Sequence, residues 1–202
     1  MDYIVYEEAI CNALSIDFNK LKEECTKIIN KLSYKNNITI YTENNNILTF
    51  NLENRKWHKD DGTGDIPCGE IYIAPVEESA NGSILIPKII LQGKTFLNVL
   101  LEFKRGKLVN CSLKDLLDFI KEFKGDSHMI AEFGIGLNEN VKELVGCAVI
   151  DEKSRGTAHI AIGMNNMFGG NNSSRLHMDF IFVPEKIEAD GELLMKGSKL
   201  LF

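Results

Sequence analysis

Asp151-Glu-Lys-Ser-Arg-Gly-Thr-Ala-His-Ile-Ala-Ile-Gly163 and, beyond an Asn/Gly-rich loop, Leu176-His-Met-Asp-Phe-Ile-Phe-Val183 decide how this chain is read. Side chains alternate across a strand, so His177 and Asp179, two residues apart, leave by the same face. Around His159 the same alternation puts Ala158, Ile160 and Ile162 on a greasy face and Thr157, Ala161 and Gly163 beside the imidazole. The histidine face therefore has room. A packed core would fill it with bulk, whereas a metal ion with its bound water needs it. Residues 176–183 are otherwise apolar on both faces, which predicts an interior strand. Two polar groups buried there are costly unless they are paired or coordinated.

Working outward, the neighbouring segments supply more strands and more carboxylates. In Pro67-Cys-Gly-Glu-Ile-Tyr-Ile-Ala-Pro75, Ile71 and Ile73 share one strand face and Glu70 takes the other. In Met129-Ile-Ala-Glu-Phe-Gly-Ile-Gly136, Ala131, Phe133 and Ile135 oppose Glu132, Gly134 and Gly136, so a carboxylate again stands among small neighbours. Residues 37–42 and 47–52 form a hairpin about an Asn-rich turn, and Asn81-Gly82 signals a turn ahead of a strand over 83–90. Residues 96–103 pair with 107–111 across Arg105-Gly106, and 186–202 make a last hairpin about Ala189-Asp-Gly191. Residues 59–65 read as a polar loop. Two helices precede Ser33, with Asp17 as N-cap and Leu21, Cys25, Ile28, Ile29 and Leu32 at helical spacing. A further helix over 112–124 starts from Ser112 and Asp115 in capping-box spacing and stops at Gly125. The expected fold class is α+β, a mostly antiparallel β-sheet with a few covering helices.

At 202 residues, 44% hydrophobic and 26% charged, the chain has a globular balance and reads as one domain over 1–202. A net charge of −6 with no Lys/Arg cluster argues against a nucleic-acid partner. The apolar runs are too short to span a bilayer, and the N-terminus lacks the pattern of a secretion signal, so a cytoplasmic protein with no membrane partner is expected. Five cysteines without Cys-x-x-Cys spacing fit reduced thiols. Cys68, beside Glu70, has no histidine adjacent in sequence and is read as structural.

Glu70, Glu132, Glu152, His159, His177 and Asp179 are oxygen and imidazole donors of the kind that suit zinc, manganese, cobalt or iron(II), with too many carboxylates for a structural zinc site. Their number suggests two ions, which together can hold a hydroxide and polarise a carbonyl. Taken singly, Glu132 or Glu152 reads as a surface or salt-bridged carboxylate, and His159 as a satisfied core histidine. His58 and His128 sit in no strand pattern with small neighbours and stay outside the set. Gly134-Ile-Gly136 and Gly169-Gly170 lack the strand–turn–helix order of a phosphate loop.

Pro67–Pro75, Ala131-Glu-Phe-Gly-Ile-Gly136, Asp151-Glu-Lys153, Gly156-Thr-Ala-His-Ile-Ala-Ile-Gly163 and Leu176-His-Met-Asp179 resemble, in that order, the metal-binding half of the thermophilic-type leucyl aminopeptidases. Those enzymes are two-metal exopeptidases, often dimeric. The resemblance implies an aminopeptidase metal-binding-domain-like fold with Glu70, Glu132, Glu152, His159, His177 and Asp179 as ligands and Glu132 as the bridge. It also implies catalytic roles for Glu132 and Glu152, two divalent ions per chain (zinc, cobalt, manganese or iron), and a peptide or small amide substrate. The family's N-terminal α/β domain has no counterpart here, so a homodimer or a partner protein supplying that domain is expected, with the apolar tail Leu200-Leu201-Phe202 as one candidate contact. Where the family carries a tyrosine seven residues beyond the first histidine, this chain has Asn166. Two competing functions share the scaffold. The superfamily also resembles a ring-cleaving iron(II) dioxygenase, for which His159, His177 and Asp179 would make the two-histidine, one-carboxylate triad. The other is a shortened, non-catalytic binding or assembly protein.

Overall fold

The computed structural model describes residues 3–201; Phe202, the end of the apolar tail, lies outside the described residues. Helices α1 (Tyr3–Leu14) and α2 (Phe18–Leu32) lead into strands β1 (Asn37–Thr42), β2 (Asn46–Asn51), β3 (His58–Asp60), β4 (Glu70–Ile73), β5 (Asn81–Leu91), β6 (Lys94–Lys104) and β7 (Lys107–Cys111). Helix α3 (Lys114–Ile120) precedes β8 (Ile130–Gly136), and the short α4 (Ala148–Asp151) precedes β9 (Ala158–Gly163). A 3-10 turn (Asn166–Phe168), β10 (His177–Phe182), β11 (Lys186–Ala189), β12 (Glu192–Lys196) and β13 (Lys199–Leu200) complete the order.

The strands form two antiparallel sheets. One has eight strands in the order β13-β12-β11-β1-β2-β5-β6-β7, the other five in the order β10-β9-β8-β4-β3. Their inner faces share one core: Ile38, Ile40, Leu48, Ile84 and Leu101 on the larger sheet, Ile71, Ile73, Phe133, Ile135, Ile160, Ile162, Phe180 and Phe182 on the smaller. Phe133 sits at its centre, against Phe50 at 5.4 Å and Trp57 at 6.0 Å between ring centroids. Helix α2 is helical because its apolar residues recur every three or four positions; Leu21, Cys25, Ile28 and Leu32 are buried, and the Asp17 carboxylate caps it by accepting from the Asn19 and Lys20 N–H groups.

Strand β8 breaks its own alternation near its start. The register shifts between Ile130 and Glu132: Ile130 pairs with Ile162, yet Glu132 pairs with Ala161. A bulge adds a residue and reverses which face the next side chain takes. Ile130 and Phe133 thereby both enter the core, while Glu132 turns to the opposite face.

Several local expectations are corrected. Asn81-Gly82 is no turn; it begins β5, Gly82 pairs with Leu48, and its φ of 114° lets the backbone cross close to the Ile47 carbonyl. The polar loop expected over 59–65 starts as strand: β3 pairs with β4, and Asp60 and Asp61 are buried. The helix expected over 112–124 is α3 alone, because the Ser112 hydroxyl accepts from the Leu100 N–H across the sheet instead of capping. Residues 177–182 form not an interior strand but the edge of the smaller sheet, adjacent to β9. Glu152 lies on no strand; it is the C-cap of α4. No helix among the described residues is long and apolar enough to cross a membrane.

Candidate metal centre

The outer face of the smaller sheet carries the site, and the register shows how residues far apart in sequence meet there. Asp179 of β10 stands opposite Ala161 of β9, Ala161 opposite Glu132 of β8, and His159 opposite Gly134. Gly134 faces Tyr72 of β4, Gly136 faces Glu70, and Glu70 faces Asp60 of β3. The small residues expected beside His159 are structural necessities: a Cβ on Gly134 would lie 2.1 Å from His159 Nε2. Gly136 likewise makes room for the segment after α4, since its Cβ would lie 2.1 Å from the Ser154 carbonyl oxygen and 2.7 Å from that of Glu152.

Glu132 is the hub. Its Oε1 is 3.3 Å from His159 Nε2, and its Oε2 is 3.3 Å from His177 Nε2. His159 Nε2 is also 3.4 Å from Glu70 Oε2, and His177 Nε2 is 3.5 Å from Asp179 Oδ1. The donor atoms fall into two groups, Glu70/Glu132/His159 and Glu132/His177/Asp179, each with its atoms within 4.8 Å of one another. The first group is sealed, with the His159 side chain 1% exposed; in the second, His177 is 27% exposed, so the centre opens to solvent at that end.

Two details fit a cation in each group. His177 Nδ1 is 2.7 Å from the Met164 carbonyl oxygen, which can only accept, so Nδ1 carries a proton and Nε2 is left facing the centre, where it can hold a second proton or a metal ion in its place. Glu70 Oε2, buried and aimed at His159, has no hydrogen-bond partner. A buried carboxylate oxygen left unpaired is expensive unless a cation completes it.

The titration behaviour agrees. Burial pushes the Glu70 carboxyl up to about 7, against the pull of Lys153. Burial would raise Glu132 as well, but hydrogen bonds from His159 and His177 outweigh it and hold that carboxyl down to about 2. Burial would lower both imidazoles; Glu132 and Glu70 instead carry His159 up to about 9, and Asp179 and Glu132 carry His177 up to about 11. Protons and divalent ions compete for these atoms, so loading such a centre releases protons.

Five of the six residues singled out in the sequence are brought together here. Glu152 lies beside the centre but in neither donor group: its Oε1 is 2.9 Å from Lys153 Nζ. Sequence reasoning passed over Lys153, 4% exposed, whose ammonium also lies 2.5 Å from Glu70 Oε1 and 3.3 Å from Asp60 Oδ2. Its position in Asp-Glu-Lys, directly after a candidate ligand, was the available signal. His58, set aside for want of a strand pattern, belongs to β3 on the same face and stacks on Tyr72 at 5.4 Å. Phe168 of the 3-10 turn packs edge-on against Tyr72 at 5.5 Å and His177 at 6.0 Å, roofing the centre from one side to the other. The loop bearing it is pinned at the β8 bulge, where the Asn165 and Asn172 side-chain amides donate to the Ala131 and Ile130 carbonyls. Asn166 is exposed at the start of that turn. Cys68 is buried and its thiol is pushed up by burial, so it is no ready nucleophile. All five cysteines are free thiols.

Fold and geometry together define a candidate divalent-metal centre on the outer face of an antiparallel sheet. The family profile described as thermophilic metalloprotease (M29) matches residues 8–201, and the chain belongs to that family. No curated protein sequence matches it. Among solved structures it is similar to 2,5-dihydroxypyridine dioxygenase from Pseudomonas putida KT2440, with a TM-score of 0.78 and 16% identity over 96% of this chain and 62% of the other. It is also similar to wild-type AmpT from Thermus thermophilus, with a TM-score of 0.75 and 17% identity over 96% of this chain and 58% of the other. At these identities the likeness is one of fold, and the chain spans less than two thirds of either protein.

Proposed function

We propose that this chain is a metal-dependent hydrolase of aminopeptidase type that removes N-terminal residues from peptides or cleaves a related small amide. The observation that carries the reading is the sharing of Glu132, one oxygen toward His159 and the other toward His177, so that one carboxylate would serve two cation places. Glu70 and His159 would complete one place, His177 and Asp179 the other. Divalent ions held there supply Lewis acidity, activating water and polarising an amide carbonyl. The protein's own part is to orient and protect. Glu132 fixes both imidazoles, the Met164 carbonyl holds the His177 Nδ1 proton, and Phe168 packs edge-on against the His177 ring. Glu152, with its side chain 13% exposed and in neither donor group, is the carboxylate we assign to take a proton from water. The substrate would enter at the His177/Asp179 end. A second copy, or a partner chain, is the proposed source of the remaining substrate contacts, and a cytoplasmic setting is the proposed location.

The test is hydrolysis of chromogenic aminoacyl substrates by protein loaded with cobalt, manganese or zinc, with bound metal measured per chain. Turnover together with about two ions per chain is the expected result; absence of turnover at full metal occupancy would overturn it. The iron(II) dioxygenase reading draws on the fold shared with the Pseudomonas protein, but the donor groups place His159 and His177 on separate oxygens of Glu132 and do not join them in one triad. Oxygen uptake by iron-loaded protein separates the two. Protein that binds no metal, with unaltered stability in His159→Ala, would favour the assembly-protein reading.

A further inference from the structure

Lys153 is an anomaly in a site built to receive cations, because it already is one. Its side chain is 4% exposed and its ammonium touches three carboxylates: Glu70 Oε1 at 2.5 Å, Glu152 Oε1 at 2.9 Å and Asp60 Oδ2 at 3.3 Å. An ammonium has three hydrogens to give; one goes to Glu70 Oε1 in a hydrogen bond, and Glu152 and Asp60 are held as ion pairs. The backbone holds it in place. The Lys153 carbonyl accepts from the Asn138 N–H at 2.8 Å, the Gly156 N–H donates to the Gly136 carbonyl, and the segment lies directly on Gly136. Lys153 is therefore fixed beside Glu70, with little freedom to withdraw.

That placement has three consequences. Glu70 has one oxygen on the ammonium, so only Oε2 is left to face His159, and that is the oxygen without a hydrogen bond. Asp60, opposite Glu70 in the sheet, is buried with neither oxygen hydrogen-bonded, and Lys153 is its one close countercharge among the described residues. Glu152 is turned toward Lys153 and belongs to neither donor group. Charge agrees with this division. Asp60, Glu70 and Glu152 face the ammonium while Glu132 and Asp179 face the imidazoles, and two divalent ions would neutralise the four negative charges that remain.

We propose that Lys153 is a positioning residue of the centre: a covalently attached cation that keeps Glu152 and Asp60 out of the donor set and presents a single oxygen of Glu70 to the metal. The chain then binds metal through Glu70, Glu132, His159, His177 and Asp179, and Glu152, a ligand by sequence resemblance, is the partner of Lys153. This rests on the metallohydrolase reading above.

Cobalt(II) titration followed by calorimetry and by visible absorption tests it, on the full chain and on Glu152→Gln, Lys153→Met and the double substitution. Glu152→Gln is expected to keep the cobalt affinity and the absorption spectrum of the unsubstituted chain, since Glu152 is not a donor. Lys153→Met removes a positive charge from the centre and releases Glu152 to the metal, so affinity rises about tenfold, or ~1.4 kcal/mol, and absorption weakens as the coordination number grows. The double substitution restores the original spectrum. A tenfold loss of affinity in Glu152→Gln overturns the proposal, as does a Lys153→Met protein with an unchanged spectrum or weaker binding. Should Lys153→Met fail to fold, Glu152→Gln decides alone. An unsubstituted chain that takes up no cobalt(II) overturns the metallohydrolase reading itself and this assignment with it, a failure distinguished by showing without any substitution.

Discussion

Gly134→Ala is the sharpest single perturbation of this centre. The added methyl would stand 2.1 Å from His159 Nε2 and 2.2 Å from Cε1, whereas unbonded heavy atoms settle near ~3.5 Å. The imidazole must retreat by more than ~1 Å to relieve that overlap. His159 is fully buried, and Ile181 of β10 stands opposite it on the far side. Overpacking of this kind costs about 1–3 kcal/mol of stability. The metal would feel it more, because the displaced nitrogen is one of three donors in the sealed group. Expected is a loss of ~100-fold in affinity for one ion, which is ~2.7 kcal/mol. Gly134 does not have a positive φ, so alanine brings no backbone strain to confuse the result. Calorimetric titration with manganese(II) or cobalt(II), alongside melting of the metal-free protein, reads both effects. A variant that melts within a few degrees of the original and binds two ions with unchanged affinity would refute the placement of His159 as a donor.

Other perturbations can be checked as directly. Glu132→Gln removes the carboxylate common to both groups and is expected to abolish binding of both ions, whereas His177→Ala should leave one; equal stoichiometry in the two variants would contradict a bridge. Phe133→Ala, at the centre of the shared core and fully buried, should cost about 3–5 kcal/mol in urea unfolding, and a loss below ~1 kcal/mol would show that the two sheets do not depend on it. For Glu77, burial would raise the carboxyl, but N–H groups including that of Asn171, together with Arg55, outweigh it and hold it below its ordinary value of 4.5. A depressed folded-state value contributes stability above 4.5 that is lost as pH falls through the lower one, so amide exchange at Asn171 should quicken on acidification, and Glu77→Gln should remove that dependence. Chelation of loaded protein should lower its melting temperature, since ions at a hundredfold excess over their dissociation constant stabilise by ~2.7 kcal/mol.

Much of the fold was legible because it rests on local periodicity. Asp17 and the three-to-four spacing through Leu32 gave α2 and its cap, and Arg105-Gly106 gave the β6–β7 hairpin. The alternation about Phe133 and about His159 gave the two faces of β8 and β9. The misreadings have a common cause. Asn81-Gly82 and Ser112 carry strong local signals, but a distant strand claimed each of them: β2 for Gly82, and the Leu100 N–H for Ser112. His58-Lys-Asp60 carries no strand signal of its own; pairing with β4 makes it a strand. Residues 177–182 are apolar enough for an interior strand, but an edge strand can be just as apolar when packing covers its faces.

The sequence alone determined the chemistry available to this protein: which residues can bind a cation, which of them lie on one face of a strand, and which glycines and alanines leave room beside them. Those facts stem from residue type and the two-residue repeat of an extended chain, and they need no partner strand. Only the tertiary structure decided how that chemistry is divided. The β8 bulge turns Ile130 into the core, cross-strand register sets Glu132 between His159 and His177, and the segment lying over Gly136 delivers Lys153 to Glu152 and Glu70. Coulomb attraction and hydrogen bonding act over a few ångströms, and which charges come that close is set by pairing between segments up to about a hundred residues apart, such as β3 and β4 against Lys153.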